Sequence, residues 1–145
     1  MSQRRGSAFD SGVPKTVRVP HLGGIDVSYR LAKPFRQTKP SLILINSFLM
    51  SAELYRPQFQ NTKLTDMLNL IAIEPLGHGD TRTRATENFT YWDTAIMVWQ
   101  AMDALGVKKA FLLGTSQGGW IVPRVALYAP ERACRHVAPH TLLPR

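Results

Sequence analysis

The sequence predicts an α/β protein built on a mostly parallel sheet, and three observations carry that expectation. Segments 41–46 (SLILIN), 69–75 (NLIAIEP) and 110–114 (AFLLG) are short, continuous apolar runs, as expected of strands covered on both faces. Stretches of helical character follow each of them, so the order from residue 41 is strand, helix, strand, helix, strand, helix. That alternation belongs to parallel sheets. Ahead of these, TVRV (16–19) and IDVSYRL (25–31) alternate apolar and polar residues, the period-two mark of half-buried strands.

Taken in order, residues 1–15 read as a flexible basic arm. The two alternating segments then form an antiparallel hairpin, with Gly23 and Gly24 available for its turn. Residues 33–40 (KPFRQTKP) are a polar connector with two prolines. After the first buried strand, residues 52–60 predict a short helix broken or begun near Pro57. Residues 76–88, rich in Gly, Thr and Arg, predict a loop. The clearest helix spans 90–106. Trp92, Ala95, Ile96, Trp99, Met102 and Leu105 recur at three- and four-residue spacing and predict one apolar face. Thr90 with Asp93 three residues on forms a weak capping box, and Gly106 suits the helix end. A last helix is expected from the serine at 116 to YAPER (128–132).

Composition narrows the function classes. The chain of 145 residues is 44% apolar and 19% charged, as expected of a globular domain rather than a disordered chain. Residues 1–40 carry eight Lys/Arg against two Asp/Glu, residues 41–129 seven of each, and residues 130–145 three against one. The excess of +8 therefore sits at the two ends. It neither clusters on a helix nor alternates with aromatics, so a nucleic-acid partner is not expected. No apolar run reaches the roughly 18 residues of a membrane helix, so no membrane partner is expected either. The single cysteine, Cys134, allows no internal disulfide and no cysteine-cluster zinc site. No cofactor or metal is expected. The start MSQRRGSAFDSG has no apolar signal region, and the terminal LPR is not a peroxisomal address, so the expected location is cytoplasmic.

Chemistry enters with LLGTSQGGW (112–120). Gly114, Ser116 and Gly118 form Gly-x-Ser-x-Gly, a pattern with meaning only between a strand and a helix, and both are expected here. The turn between them is so sharp that the neighbours two before and two after the serine have no room for a side chain. The helix start behind the serine offers free amides and a partial positive charge.

With these residues in place the sequence resembles the α/β-hydrolase family over most of residues 16–133. LINSF (44–48) is similar to the family's oxyanion loop, EPLGHGDT (74–81) to the glycine loop after the next strand, GTSQGG (114–119) to its nucleophile turn, and YAPER to the end of the following helix. The resemblance implies that Ser116 is the nucleophile and that the Phe48 and Gln117 amides form an oxyanion hole. A serine there argues against the epoxide hydrolases and haloalkane dehalogenases of the fold, which use aspartate. Asn46-Ser47, where the family often has His-Gly, resembles the enol-lactonase branch and implies a small ester or lactone substrate. The wider stretch NSFLMSAELYRPQF resembles fungal hydrolases of metabolite pathways.

A serine needs a base and an acid to orient it, and the family order is serine, acid, histidine. After Ser116 come Glu131, His136 and His140. Glu131 lies at a helix end, only five residues from His136, so this pair is not expected to complete a triad. A catalytically incomplete member of the family is therefore the alternative, with a basic binding module behind it. His78 is read as packing its loop, His21 as exposed in the hairpin turn, and Asp80 as bonding loop amides. The final ACRHVAPHTLLPR shows no strand period. The family pattern is accordingly expected to stop near Arg132, leaving 134–145 as an atypical tail. The strand at 110–114 would then be an exposed apolar edge, prone to self-association.

Overall fold

The computed structural model describes residues 11–84 and 86–137. Most of the arm expected at 1–15 and of the tail at 134–145 lies outside the described residues.

The hairpin forms as expected. Strands β1 (Lys15–Val19) and β2 (Ile25–Leu31) pair antiparallel, Val19 opposite Ile25 and Lys15 opposite Tyr29. The turn between them puts Leu22 at φ 52°, Gly23 at 77° and Gly24 at 124°. At φ 124° a side chain on Gly24 would be strained, and its Cβ would displace the Arg18 guanidinium, 2.5 Å away. Strands β3 (Ser41–Ile45), β4 (Asn69–Ile73) and β6 (Ala110–Gly114) are the three apolar runs. β3 is central, parallel to β4 on one side and β6 on the other. The two-residue β5 (Arg82–Thr83) lies within the expected loop and pairs with β2. The strand order is β1-β2-β4-β3-β6, followed by a last strand beside β6.

The last strand corrects the sequence reading. Ala133–Val137 forms β7, parallel to β6, with a register shift beside Ala110. The 110–114 strand is therefore not an edge; among the described residues β7 is the last strand on that side. Its pairing is set by the neighbouring strand, whose backbone groups must be satisfied, and not by an apolar period of its own.

Both sheet faces are covered. Alternate residues of β3 and β4 (Ile43, Ile45, Ile71 and Ile73) pack with helices α3 (Tyr91–Ala104) and α4 (Gln117–Tyr128). Leu44 and Ala72 point the other way, onto Ala52 and Tyr55. Continuous apolar strands are the consequence of this two-sided burial. The segment on the second face is a 3-10 turn (Ala52–Tyr55), α1 (Arg56–Gln60) and a helix not anticipated, α2 (Thr62–Met67). Asn61 caps α2 by accepting the Leu64 N–H.

Helix α3 starts in a full capping box, with Thr90 and Asp93 each accepting from the other's backbone. Its buried face differs from the expected one. Met97, Val98 and Ala101 are buried, whereas Trp92 is 44% exposed. The helix packs on the sheet and on α4 together, which widens the buried face beyond one stripe and leaves its first turn outside. Trp99 is buried and donates its indole N–H to the Val125 carbonyl of α4. Helix α4 continues through Pro123.

Candidate active site

The parallel strands β3, β4 and β6 all end at one edge of the sheet, and the expected site residues gather there. Ser116 sits in the turn between β6 and α4, with φ 52° and ψ −111°. No strain-free region of the backbone map holds a non-glycine residue there. The neighbours show how it is held. A Cβ on Gly114 would come within 3.0 Å of the Gly118 carbonyl, and one on Gly118 within 3.0 Å of the Ile45 carbonyl. The turn is thus pressed against the end of β3 with no side chain between. The Thr115 N–H donates to the Ile45 carbonyl (3.1 Å), and the Gly118 N–H donates to Thr115 (2.9 Å).

Tyr55 closes this contact from the second face. Its buried hydroxyl donates to the Ile45 carbonyl at 2.6 Å and lies 3.1 Å from the Thr115 hydroxyl. Burial pushes the Tyr55 hydroxyl up from its ordinary value, with the Thr115 bond acting against it, so it stays protonated and donating.

Phe48 and Gln117, the expected oxyanion pair, come from different segments, the loop after β3 and the start of α4. Gln117 opens α4 and is buried, whereas Phe48 is 60% exposed on the loop after β3. Buried Asn46 shapes that loop by donating to the Ser47 and Met50 carbonyls. Leu49 there has φ 59°. Phe48 and Gln117 border one cavity of 520 Å³, with Leu76, His78, Phe89 and Tyr91 among its other walls.

The loop after β4 is organised by Glu74, the acid that opens EPLGHGDT, to which the sequence alone assigns no role. Buried Glu74 accepts the Ala52 N–H (2.9 Å) and the Asp80 N–H (2.8 Å). Gly79, at φ 53°, lies so close that a Cβ would overlap the Glu74 carboxylate. Thr81 ties the strand end to β2, donating to the Glu74 carbonyl while accepting the Ser28 N–H. The amide-binding role expected of Asp80 therefore belongs to Glu74. A signal was present: an acid directly after an apolar strand and before Gly-x-Gly.

His78 holds its loop as expected, its Nδ1 3.0 Å from the Leu76 carbonyl and its ring edge-on to Phe48. His21 corrects its reading. It is not simply exposed: Nε2 lies 2.9 Å from an Asp93 carboxylate oxygen, which ties the hairpin turn to the start of α3. Burial acts to raise Asp93, but the Thr90 N–H, the His21 ring and the Thr90 hydroxyl together hold it below the usual carboxylate value. Glu131 follows the end of α4 and is exposed. The side chain of His136, and all of His140, lie outside the described residues. Among the described residues, no histidine or carboxylate is hydrogen-bonded to Ser116, and no cluster of His, Cys, Asp or Glu could hold a metal.

Comparison with known proteins agrees with this architecture. A family model for the alpha/beta hydrolase fold matches residues 40–139, and the chain belongs to that family. The match runs past Arg132, where the sequence reading had the pattern stop. An uncharacterized hydrolase of Bacillus subtilis, YugF, is 34% identical over 111 residues, which cover 76% of this chain and 39% of that protein. A probable hydrolytic enzyme of Pseudomonas aeruginosa superposes with a TM-score of 0.77 at 20% identity, covering 90% of this chain and 42% of that one. A second hydrolase from the same species gives 0.73 at 28% identity, over 89% and 48%. Epoxide hydrolase A of Mycobacterium thermoresistibile gives 0.71 at 19%, over 90% and 42%. The chain thus spans two-fifths to one-half of the length of these relatives. No helix among the described residues is long and apolar enough to cross a membrane.

Proposed function

We propose that this chain carries the nucleophile half of a serine hydrolase acting on small esters or lactones. The observation that carries the reading is the backbone of Ser116, held at φ 52° by glycines in contact with the end of β3. Strain of that kind costs on the order of 1–3 kcal/mol and persists where the surroundings enforce it. It lifts the hydroxyl to the mouth of the sheet edge, in front of the α4 amides.

In this mechanism the Ser116 oxygen attacks the ester carbonyl while its proton passes to a base. The carbonyl oxygen becomes an oxyanion between the Phe48 and Gln117 amides. Collapse expels the alcohol, which takes up the proton, and water then releases the acid from the acyl-serine. Serine at this position supports ester or lactone chemistry over an aspartate-dependent route. The carboxylic product is proposed to leave without cofactor or metal.

A second reading is favoured by one observation. Ser116 has no hydrogen-bonded base among the described residues, so the chain could hold a reactive turn without turning substrate over. Steady-state hydrolysis of 4-nitrophenyl acetate, lost in Ser116→Ala, supports the first reading. Stoichiometric acylation with no turnover supports the second, and hydrolysis unchanged in Ser116→Ala would refute both.

A further inference from the structure

The cavity beside Ser116 has a polar reader of its own. A carbonyl oxygen can only accept, so the His78 Nδ1 facing the Leu76 carbonyl at 3.0 Å carries the proton. In the neutral ring, that tautomer leaves the lone pair on Nε2. No hydrogen bond to that nitrogen occurs among the described residues. Phe48 packs against the ring edge-on with centroids 5.6 Å apart, and the backbone at this position is held by the His78 N–H bond to the Pro75 carbonyl.

Three aromatic residues, Phe48, Phe89 and Tyr91, share the walls of the cavity with Leu76, Thr90, Thr94 and Gln117. Gly77 lies against Phe89: a Cβ there would meet the tip of the Phe89 ring at 2.9 Å and displace it. Aromatic walls favour flat apolar groups, and a site built to accept a hydrogen bond disfavours an analogue lacking the donor.

We infer that the cavity binds a hydroxyaryl group, whose hydroxyl donates to His78 Nε2 while its ring lies among Phe48, Phe89 and Tyr91. The inference rests on the serine-hydrolase reading only in making that group part of the substrate. The binding itself does not need Ser116.

The test uses the full chain and two probes of similar shape, 4-methylphenol and 4-methylanisole, titrated by two-dimensional NMR. The phenol is expected to shift the Phe48, His78 and Gln117 amides and the His78 ring nitrogens, and to bind about ten-fold tighter, roughly one hydrogen bond. His78→Phe keeps a ring against Phe48 and removes the acceptor, so it should bring the two affinities together. Equal affinities in the wild type, shifts elsewhere, or a preference that survives in His78→Phe would overturn the inference. If that variant does not fold, the wild-type ratio and the response of the His78 ring nitrogens decide alone. Failure of the serine reading is scored separately, by absence of Ser116 acylation, and leaves the affinity ratio untouched.

Discussion

The two ends of the sheet are built on different terms. At the end where β3, β4 and β6 begin, the polar groups are matched and the backbone is relaxed. Asn69 shows this: its side chain accepts the Arg36 N–H and donates to the Arg36 and Lys39 carbonyls, which fastens the connector before β3. At the opposite end, all three non-glycine residues with positive φ among the described residues gather: Leu22, Leu49 and Ser116. Phe48, Leu49 and Met50 are exposed there, as is Trp120 of α4. The first end is organised for stability and the second holds strain in front of a cavity. Strain of this sort clusters at functional sites, so the difference supports the site proposed at Ser116.

The comparison is broken most severely at the glycines. Gly118→Ala drives a methyl group into the Ile45 carbonyl, so the turn at Ser116 cannot close. A loss of about 3 kcal/mol or more is expected, with complete loss of Ser116 reactivity, measured by urea denaturation and acylation together. Glu74→Ala comes next. It leaves the Ala52 and Asp80 N–H groups without their acceptor, an expected cost of about 2–4 kcal/mol. Glu74→Gln, which keeps one carbonyl oxygen, should cost less. Asn69→Ala at the relaxed end should cost about 2 kcal/mol in denaturation yet leave the acylation rate of the folded protein unchanged. A fall in that rate would erase the distinction between the two ends.

The smallest effect concerns Asp93. Its carboxyl titrates below its ordinary value in the folded protein. Its contribution is therefore fully present above about pH 4, the unfolded value, and is lost as pH falls through the lower folded value. Asp93→Asn is expected to cost about 1 kcal/mol at pH 7, as a cap loss does. The gap in melting temperature between variant and wild type should close on acidification below pH ~4.

How much of this was legible depended on how local each cause was. Gly114, Ser116 and Gly118 lie within five residues, so the pattern could be read locally, although the group that excludes a side chain at Gly118 is the distant Ile45 carbonyl. Thr90 and Asp93 are equally local, and their capping box formed as read. β7 was missed because ACRHV owes its strand to a neighbour and carries no apolar period. The His21–Asp93 contact joins residues 72 apart, beyond any window of sequence. Trp92 fell outside the buried face of α3 because helix spacing fixes a stripe but not how far along it the partner reaches.

The central claim is that the fold, and not the hydroxyl alone, makes Ser116 reactive. It is tested most directly by treating the chain with a fluorophosphonate and mapping adducts by peptide mass spectrometry, native and in 8 M urea. The account predicts one adduct in the native protein, on Ser116, absent in Ser116→Ala and lost on unfolding. No native adduct at Ser116, or labelling at the same rate in urea, would contradict it.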